Sequence, residues 1–287
     1  MVEVNIVEFQ SQVLAFLEGS RNEALTLFFT SVTILAEKTF IVVLLSILYW
    51  CIDKVRSKRL AWFVLFGAVG NGIVKNIVRM PRPYEMGVVK PLRVETATSY
   101  SFPSGHTQTA TSFWAGSMVI LKTKSSMILG TIIIILTALS RLYLGVHWPM
   151  DVLGAIGFGL ICIYFANQLL GESGMLNKWH VLGSSILCLM VLVFKGDEDF
   201  CNAVAALWGF CIGGYVEQKY IQFEMTHSLK INIYRVLIGI VGILVIYLGI
   251  GKLLPDMIFI GMIKNALVLF WIIAAAPYLF KKIIKAS

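Results

Sequence analysis

Three short polar clusters interrupt an otherwise apolar chain, and each is made of groups that handle an anion or a proton. The first runs from Lys75 to Arg82-Pro83. Two fixed cations at one membrane edge suit an anion, and arginine's planar fork suits phosphate in particular. The second runs from Ser101 through Pro103-Ser104-Gly105-His106 to Thr107. Ser104 is a natural N-cap, Gly105 lets a ligand approach the backbone, and free N–H groups at a helix start form an anion site. His106 then falls in the first helical turn, facing that anion. The third runs from Ser140-Arg141 through His147-Trp148-Pro149 to Asp151. Asp151 follows His147 by four residues, close enough to hold one imidazole nitrogen. A carboxylate that fixes Nδ1–H leaves Nε2 as a base or nucleophile.

Each cluster alone has a plain structural reading. Lys75 and Arg82 are also what snorkelling basic residues look like. Ser104 to His106 is also a capped helix carrying a polar histidine. Asp151 is also a partner for a structural ion pair with Arg141 or His147. Together and in order on one membrane face, the clusters supply what metal-free phosphoryl transfer needs. Lys75, Arg82 and Arg141 balance charge, and the histidines and Asp151 supply nucleophile, proton donor and orienting acid. No carboxylate cluster suits a metal, so no metal or other cofactor is expected.

These residues must be held by elements that the composition defines. The 287 residues are 58% hydrophobic and 14% charged, with mean hydropathy +0.81. Soluble domains carry about a quarter charged residues. So high a hydrophobic fraction excludes disorder, and with so little charge it points to a polytopic membrane protein. The net charge of +8 would suggest nucleic acid in a soluble protein. Here basic cytoplasmic loops explain it, and no nucleic-acid partner is expected. The five cysteines (Cys51, Cys162, Cys188, Cys201, Cys211) include no CxxC and read as small buried hydrophobes.

Backbone groups in lipid must be satisfied internally, so long continuous apolar runs read as helices. The fold class expected is all-α, a polytopic membrane helical bundle of about nine spans. Their cores are 39–52, 59–78, 105–121, 126–141, 149–169, 180–195, 201–217, 232–251 and 257–280. The first has room to extend back through Leu25–Ala36. Residues 4–18 carry Val4, Phe9, Val13, Leu14 and Leu17 among polar positions, like an interfacial amphipathic helix. The acidic N-terminal stretch lacks the basic region of a cleaved signal, so the first apolar segments are expected to be uncleaved anchors. The domain organisation expected is an interfacial region over 1–38, a catalytic core over 39–170 and additional spans over 171–287.

Basic residues set the orientation. Lys54, Arg56, Lys58, Arg59, Lys122, Lys124, Lys178, Lys219, Lys230, Lys281, Lys282 and Lys285 fall on one side of a nine-span chain. The positive-inside rule makes that side cytoplasmic. All three polar clusters then lie on the opposite face. His180 and His227 read as surface or headgroup residues, and Asp197-Glu198-Asp199 as a solvated acidic turn. Trp148 and Phe102 adjoin the clusters as packing residues or as the lining of a lipid entry.

The clusters resemble the signature of the type 2 phosphatidic acid phosphatase (PAP2) superfamily, KxxxxxxRP, then PSGH, then SRxxxxxHxxxD. Here these are Lys75 to Arg82-Pro83, Pro103 to His106, and Ser140-Arg141 to His147 and Asp151, with every internal spacing met. The resemblance covers roughly residues 60–165 and leaves the last four spans outside. It implies that His147 attacks phosphorus to form a phosphohistidine and that Asp151 orients it. It implies that His106 protonates the leaving oxygen and then activates water. Lys75, Arg82, Arg141, Ser104 and the Gly105 N–H would hold phosphate oxygens, without metal. The expected function is an integral membrane phosphatase acting on a lipid phosphate or diphosphate at the extracytoplasmic face of a bacterial plasma membrane. A phosphotransferase on the same site and a non-hydrolytic phosphate or lipid transporter are the alternatives.

Overall fold

The computed structural model describes residues 2–194, 196–255 and 257–284. The expected cytoplasmic Lys285 lies outside the described residues. Every regular element among them is helical: α1 (Val2–Gly19), α2 (Glu23–Ile34), α3 (Lys38–Cys51), α4 (Lys54–Val78), α5 (Gly105–Leu121), α6 (Lys124–Tyr143), α7 (Pro149–Leu170), α8 (Lys178–Phe194), α9 (Glu198–Val216), α10 (Leu229–Leu253), α11 (Ile258–Phe270) and α12 (Ala276–Ile284). A 3₁₀ turn covers Val94–Thr96, and π-helical turns cover Glu217–Ile221 and Trp271–Ala275.

Side-chain chemistry sets the helix starts. Asn22, Ser104, Thr123, Asp197 and Ser228 each accept a backbone N–H from the first turn that follows. This satisfies donors with no partner inside the helix. Asp197 therefore does more than form a solvated turn, since its Oδ1 caps α9 through the Phe200 N–H at 2.8 Å.

Among the described residues, six helices are long and apolar enough to cross a membrane: α4, α6, α7, α9 with its π turn, α10, and α11 continued through α12. α2 and α3, bent by 50° about a short break, make a seventh if counted as one span. The break falls at Leu35–Glu37, beside the charged pair that interrupts the apolar run. The remaining two of the nine expected segments are α5 and α8, each 17 residues. The chain is a multi-pass integral membrane protein.

Two units make up the chain. The first takes the described residues through Ile41 together with Gly70–Phe165. Its core joins Leu14, Val89, Ala138, Leu142, Trp148 and Val152. α1 is thus docked through Leu14, while Phe9 and Phe16 on the same helix are 64% and 76% exposed. Trp148 is 1% exposed and donates Nε1–H to the Pro81 carbonyl at 3.0 Å. That burial makes it a packing residue and removes it from any lipid entry. Arg21, after α1, donates to the Tyr143 carbonyl at 2.8 and 3.0 Å and to the Lys90 carbonyl at 2.7 Å.

The second unit takes Val42–Val69 and the residues from Ala166 onward. α9 and α11 pack so closely that a Cβ on Gly209 would meet the Ala266 carbonyl. Small residues are what let membrane helices approach in this way. The π turn at Trp271–Ala275 presents carbonyls outward, and Trp50 Nε1 and Tyr49 OH donate to those of Ile272 (2.8 Å) and Ile273 (3.1 Å).

Candidate active site

All eight residues singled out in the sequence lie in the first unit. Lys75 sits in the last turn of α4, and Arg82 follows where Pro81 and Pro83 prevent the helix from continuing. Both side chains are buried and share one stretch of chain. Lys75 Nζ donates to Ser99 Oγ at 3.0 Å and to the Tyr100 carbonyl. Arg82 Nε donates to the Ser99 carbonyl at 2.8 Å.

Arg82 then reaches the third cluster. Its Nη1 donates to the Val146 carbonyl at 2.8 Å and lies 3.2 Å from His147 Nε2. His147 Nδ1 lies 3.2 Å from Asp151 Oδ2. A guanidinium can only donate and a carboxylate only accept, so the proton sits on Nδ1 and the Nε2 lone pair faces Arg82. Asp151 Oδ2 also accepts from Ser101 Oγ at 2.5 Å and from the Trp148 N–H at 2.7 Å. Its Oδ1 is buried with no hydrogen-bond partner. The main-chain carbonyl of Asp151 accepts the Ser104 N–H at 3.1 Å, which ties the start of α7 to the start of α5.

Ser104 is the N-cap of α5; its Oγ accepts from Thr107 Oγ1 at 3.0 Å and from the Thr107 N–H at 3.5 Å. A Cβ on Gly105 would meet only Asn71 Oδ1, at 3.8 Å. Packing thus does not require a glycine there, and the space beside its backbone is open. His106 Nε2 is buried without a hydrogen-bond partner. Arg141 donates to Thr33 Oγ1 (3.0 Å) and Thr96 Oγ1 (3.3 Å), and its Nε is buried without a partner.

Electrostatics join the set. Burial first, then the positive charges of Arg82, Arg141 and Lys75, hold the His147 imidazole well below its usual range. His147 is therefore neutral at pH 7. The arrangement offers a neutral, oriented nitrogen surrounded by cations, which suits attack on an anionic centre and stabilisation of the charge that builds up there.

Sequence reasoning missed several members. Ser101 stood inside the second cluster without a role, yet it is fully buried and makes the shortest contact to Asp151. Ser99, Thr33 and Thr96 hold Lys75 and Arg141, and nothing in their spacing marks them. Gln10 of α1 accepts the Met150 N–H at 3.0 Å, a first-turn donor of α7 next to the site. Phe102 packs against α7, where a Cβ on Gly154 would meet its ring.

Comparisons with known proteins cover the stretch that carries these residues. The PAP2 superfamily matches over residues 56–174, and the "PAP2 superfamily phosphatase, transmembrane extension" family matches over 201–287. The region that matches the PAP2 superfamily, 56–174, holds all eight residues singled out in the sequence. Of the four spans outside the resemblance read from the motifs, the last three fall within that transmembrane extension. Sphingosine-1-phosphate phosphatase 2 of Homo sapiens is 33% identical over 131 residues, covering 42% of this chain and 32% of that protein. Undecaprenyl-diphosphatase of Sulfolobus acidocaldarius is 35% identical over 91 residues, covering 32% of this chain and 43% of that protein. The chain thus spans less than half the length of these relatives. A PAP2 type phosphatidylglycerolphosphate phosphatase from Bacillus subtilis has a crystal structure similar over 57% of this chain and 86% of that one, at 23% identity and TM-score 0.47.

Proposed function

We propose that this chain is an integral membrane phosphatase that hydrolyses a lipid phosphate or diphosphate through a phosphohistidine. The observation that carries this reading is the His147 imidazole, held by Asp151 at Nδ1 with its Nε2 lone pair directed at Arg82. A binding-only site needs cations; it has no use for an oriented neutral nitrogen among them.

The substrate phosphate takes over the Arg82 N–H now shared with Nε2, and Lys75, Arg141, Ser104 and the Gly105 N–H complete its cradle. Nε2 attacks phosphorus in line. A P–N bond forms, the P–O bond to the leaving group breaks, and His106 gives that oxygen a proton. Asp151 offsets the positive charge that develops on the imidazole ring. His106, now neutral, takes a proton from water, whose oxygen attacks phosphorus. The P–N bond breaks and inorganic phosphate leaves. Positioning and charge stabilisation supply most of the catalysis in such transfers.

A lipid substrate is favoured because the cradle sits among residues flanking membrane helices. The relatives named above, a sphingosine-1-phosphate phosphatase and an undecaprenyl-diphosphatase, support that class. In the proposed topology α5 and α8 cross as well, giving nine spans with the α2–α3 pair. Seventeen residues make roughly 25 Å of helix, at the short end for a span. α1 lies at the interface, with the exposed Phe9 and Phe16 toward lipid. The lysine-rich connections face the cytoplasm and the site the other side, at a bacterial plasma membrane. Residues 1–38 form the interfacial region, 39–170 the catalytic core and 171–287 the additional spans.

The test is phosphate release from a panel of lipid and soluble phosphates by the protein in detergent without added metal. Release is expected from at least one lipid phosphate and is lost in His147→Ala. Undiminished turnover in that variant would overturn the mechanism.

A further inference from the structure

The second unit holds a cavity of about 460 Å³ whose wall includes Lys54, Phe223, Glu224, Arg235, Phe280 and Lys281. That volume falls within the range of small-molecule sites. Three cations there face one carboxylate. Lys54 is matched from behind the wall, since its Nζ lies 2.6 Å from Oε1 of the fully buried Glu217. The other two cations bind only main-chain carbonyls. Arg235, 5% exposed, donates to Trp50 O at 3.0 Å and Glu224 O at 2.7 Å. Lys281 donates to Ile221 O at 2.6 Å. Among the described residues no ion pair joins either to a carboxylate.

Capping exposed carbonyls explains where these two side chains point but leaves their charge uncompensated. Arg235 is buried and Lys281 half-buried, and a cation withdrawn from water without a counter-ion is costly, so a site of this kind favours an anion from outside. The apolar parts of the wall fit the same guest. Arg235 lies 5.6 and 5.8 Å from the ring centres of Phe223 and Phe280, and Lys54 lies 4.7 Å from that of Phe223. The wall segment enters through the π turn Glu217–Ile221 and the left-handed Gln222 (φ 50°), a costly backbone for a residue with a side chain.

We infer that this cavity is a binding site for a phosphate-bearing anion, with Arg235 and Lys281 as its counter-charges. Its source is either an anionic phospholipid headgroup or free phosphate. The inference stands apart from the proposed hydrolysis, because its readout is binding and neither cation belongs to the site around His147.

The test uses the full chain in neutral detergent. One arm measures binding of phosphatidylglycerol against phosphatidylcholine by native mass spectrometry. The other measures the rise in unfolding temperature with inorganic phosphate alone. Both are run on the parent, Lys281→Gln and Lys281→Arg. Loss of one charge-assisted contact weakens binding by about tenfold or more. A tenfold loss for phosphatidylglycerol in Lys281→Gln, restored in Lys281→Arg, makes the ligand a lipid headgroup. The same pattern with inorganic phosphate makes it free phosphate. Any phosphate bound around His147 contributes equally to parent and variants. Identical binding of both probes by all three proteins would overturn the inference.

Discussion

Asp151→Asn separates the charge of Asp151 from its geometry. Oδ2 accepts three hydrogen bonds, from Ser101 Oγ, the Trp148 N–H and His147 Nδ1. Oδ1 is buried and accepts none. An asparagine therefore places its carbonyl oxygen at the Oδ2 position, where all three donors remain satisfied, and its NH₂ where no donor stands against it. The Nδ1–H tautomer of His147 survives, and only the negative charge is lost. Across the 3.2 Å contact, that charge and a developing imidazolium attract by about 5 kcal/mol at an effective dielectric of about 20. At about 1.4 kcal/mol per decade, kcat falls by three to four orders of magnitude. The substrate carries no imidazolium in its ground state, so KM changes little. The assay is steady-state phosphate release with kcat and KM resolved, and the unfolding temperature confirms the fold. A variant that keeps more than a tenth of the parent kcat would refute the role given to Asp151.

Other predictions draw on the same contacts. The His147 imidazole is held well below its usual range by burial and by Arg82, Arg141 and Lys75, so kcat/KM loses its nucleophile only on an acid limb below about pH 6.5. The sign for stability is the same. Below about pH 6.5 the unfolded chain takes up a proton that folded His147 refuses, so this contribution is full above that pH and lost as pH falls, which pH-dependent unfolding measures. Ser101→Ala removes the 2.5 Å donor to Asp151 and lowers kcat by roughly tenfold with KM unchanged; an equal rise in KM would show Ser101 acting on substrate instead. Gly209→Ala forces a Cβ onto the Ala266 carbonyl and destabilises the α9–α11 contact by about 1–3 kcal/mol, seen as a lower unfolding temperature. Gly249→Ala, with nothing near its Cβ, does not.

Legibility in the sequence followed distance along the chain. The pairing of His147 with Asp151 is an i,i+4 relation, and Ser104 caps its own helix, so both could be read from spacing. Arg82 and His147 are separated by 65 residues. Their presence in one site was inferable from the motif order, but the contact that aims the Nε2 lone pair was not. The partners of Arg141 were invisible, because Thr33 and Thr96 belong to distant segments and threonine carries no signal of its own. Residues 4–18 read as a helix, yet the docking of Leu14 against Trp148 and Val152 is long-range and left no trace in the pattern. Composition marked the spans, but hydropathy does not register backbone geometry: the π turn at Trp271–Ala275 lies inside an apolar run, and the α2–α3 bend and the π turn at Glu217–Ile221 fall where charged residues mark only the edge of one.

The central claim is that phosphorus is bonded to His147 during turnover. The most direct test is a rapid acid-free quench of the protein with a ³²P-labelled substrate carrying a good leaving group, in the His106→Ala background that slows attack by water. The account predicts alkali-stable, acid-labile label on the peptide containing His147, and none when His147→Ala is combined with it. Product release in the parent with no labelled histidine in the His106→Ala protein, or label that persists without His147, would contradict it.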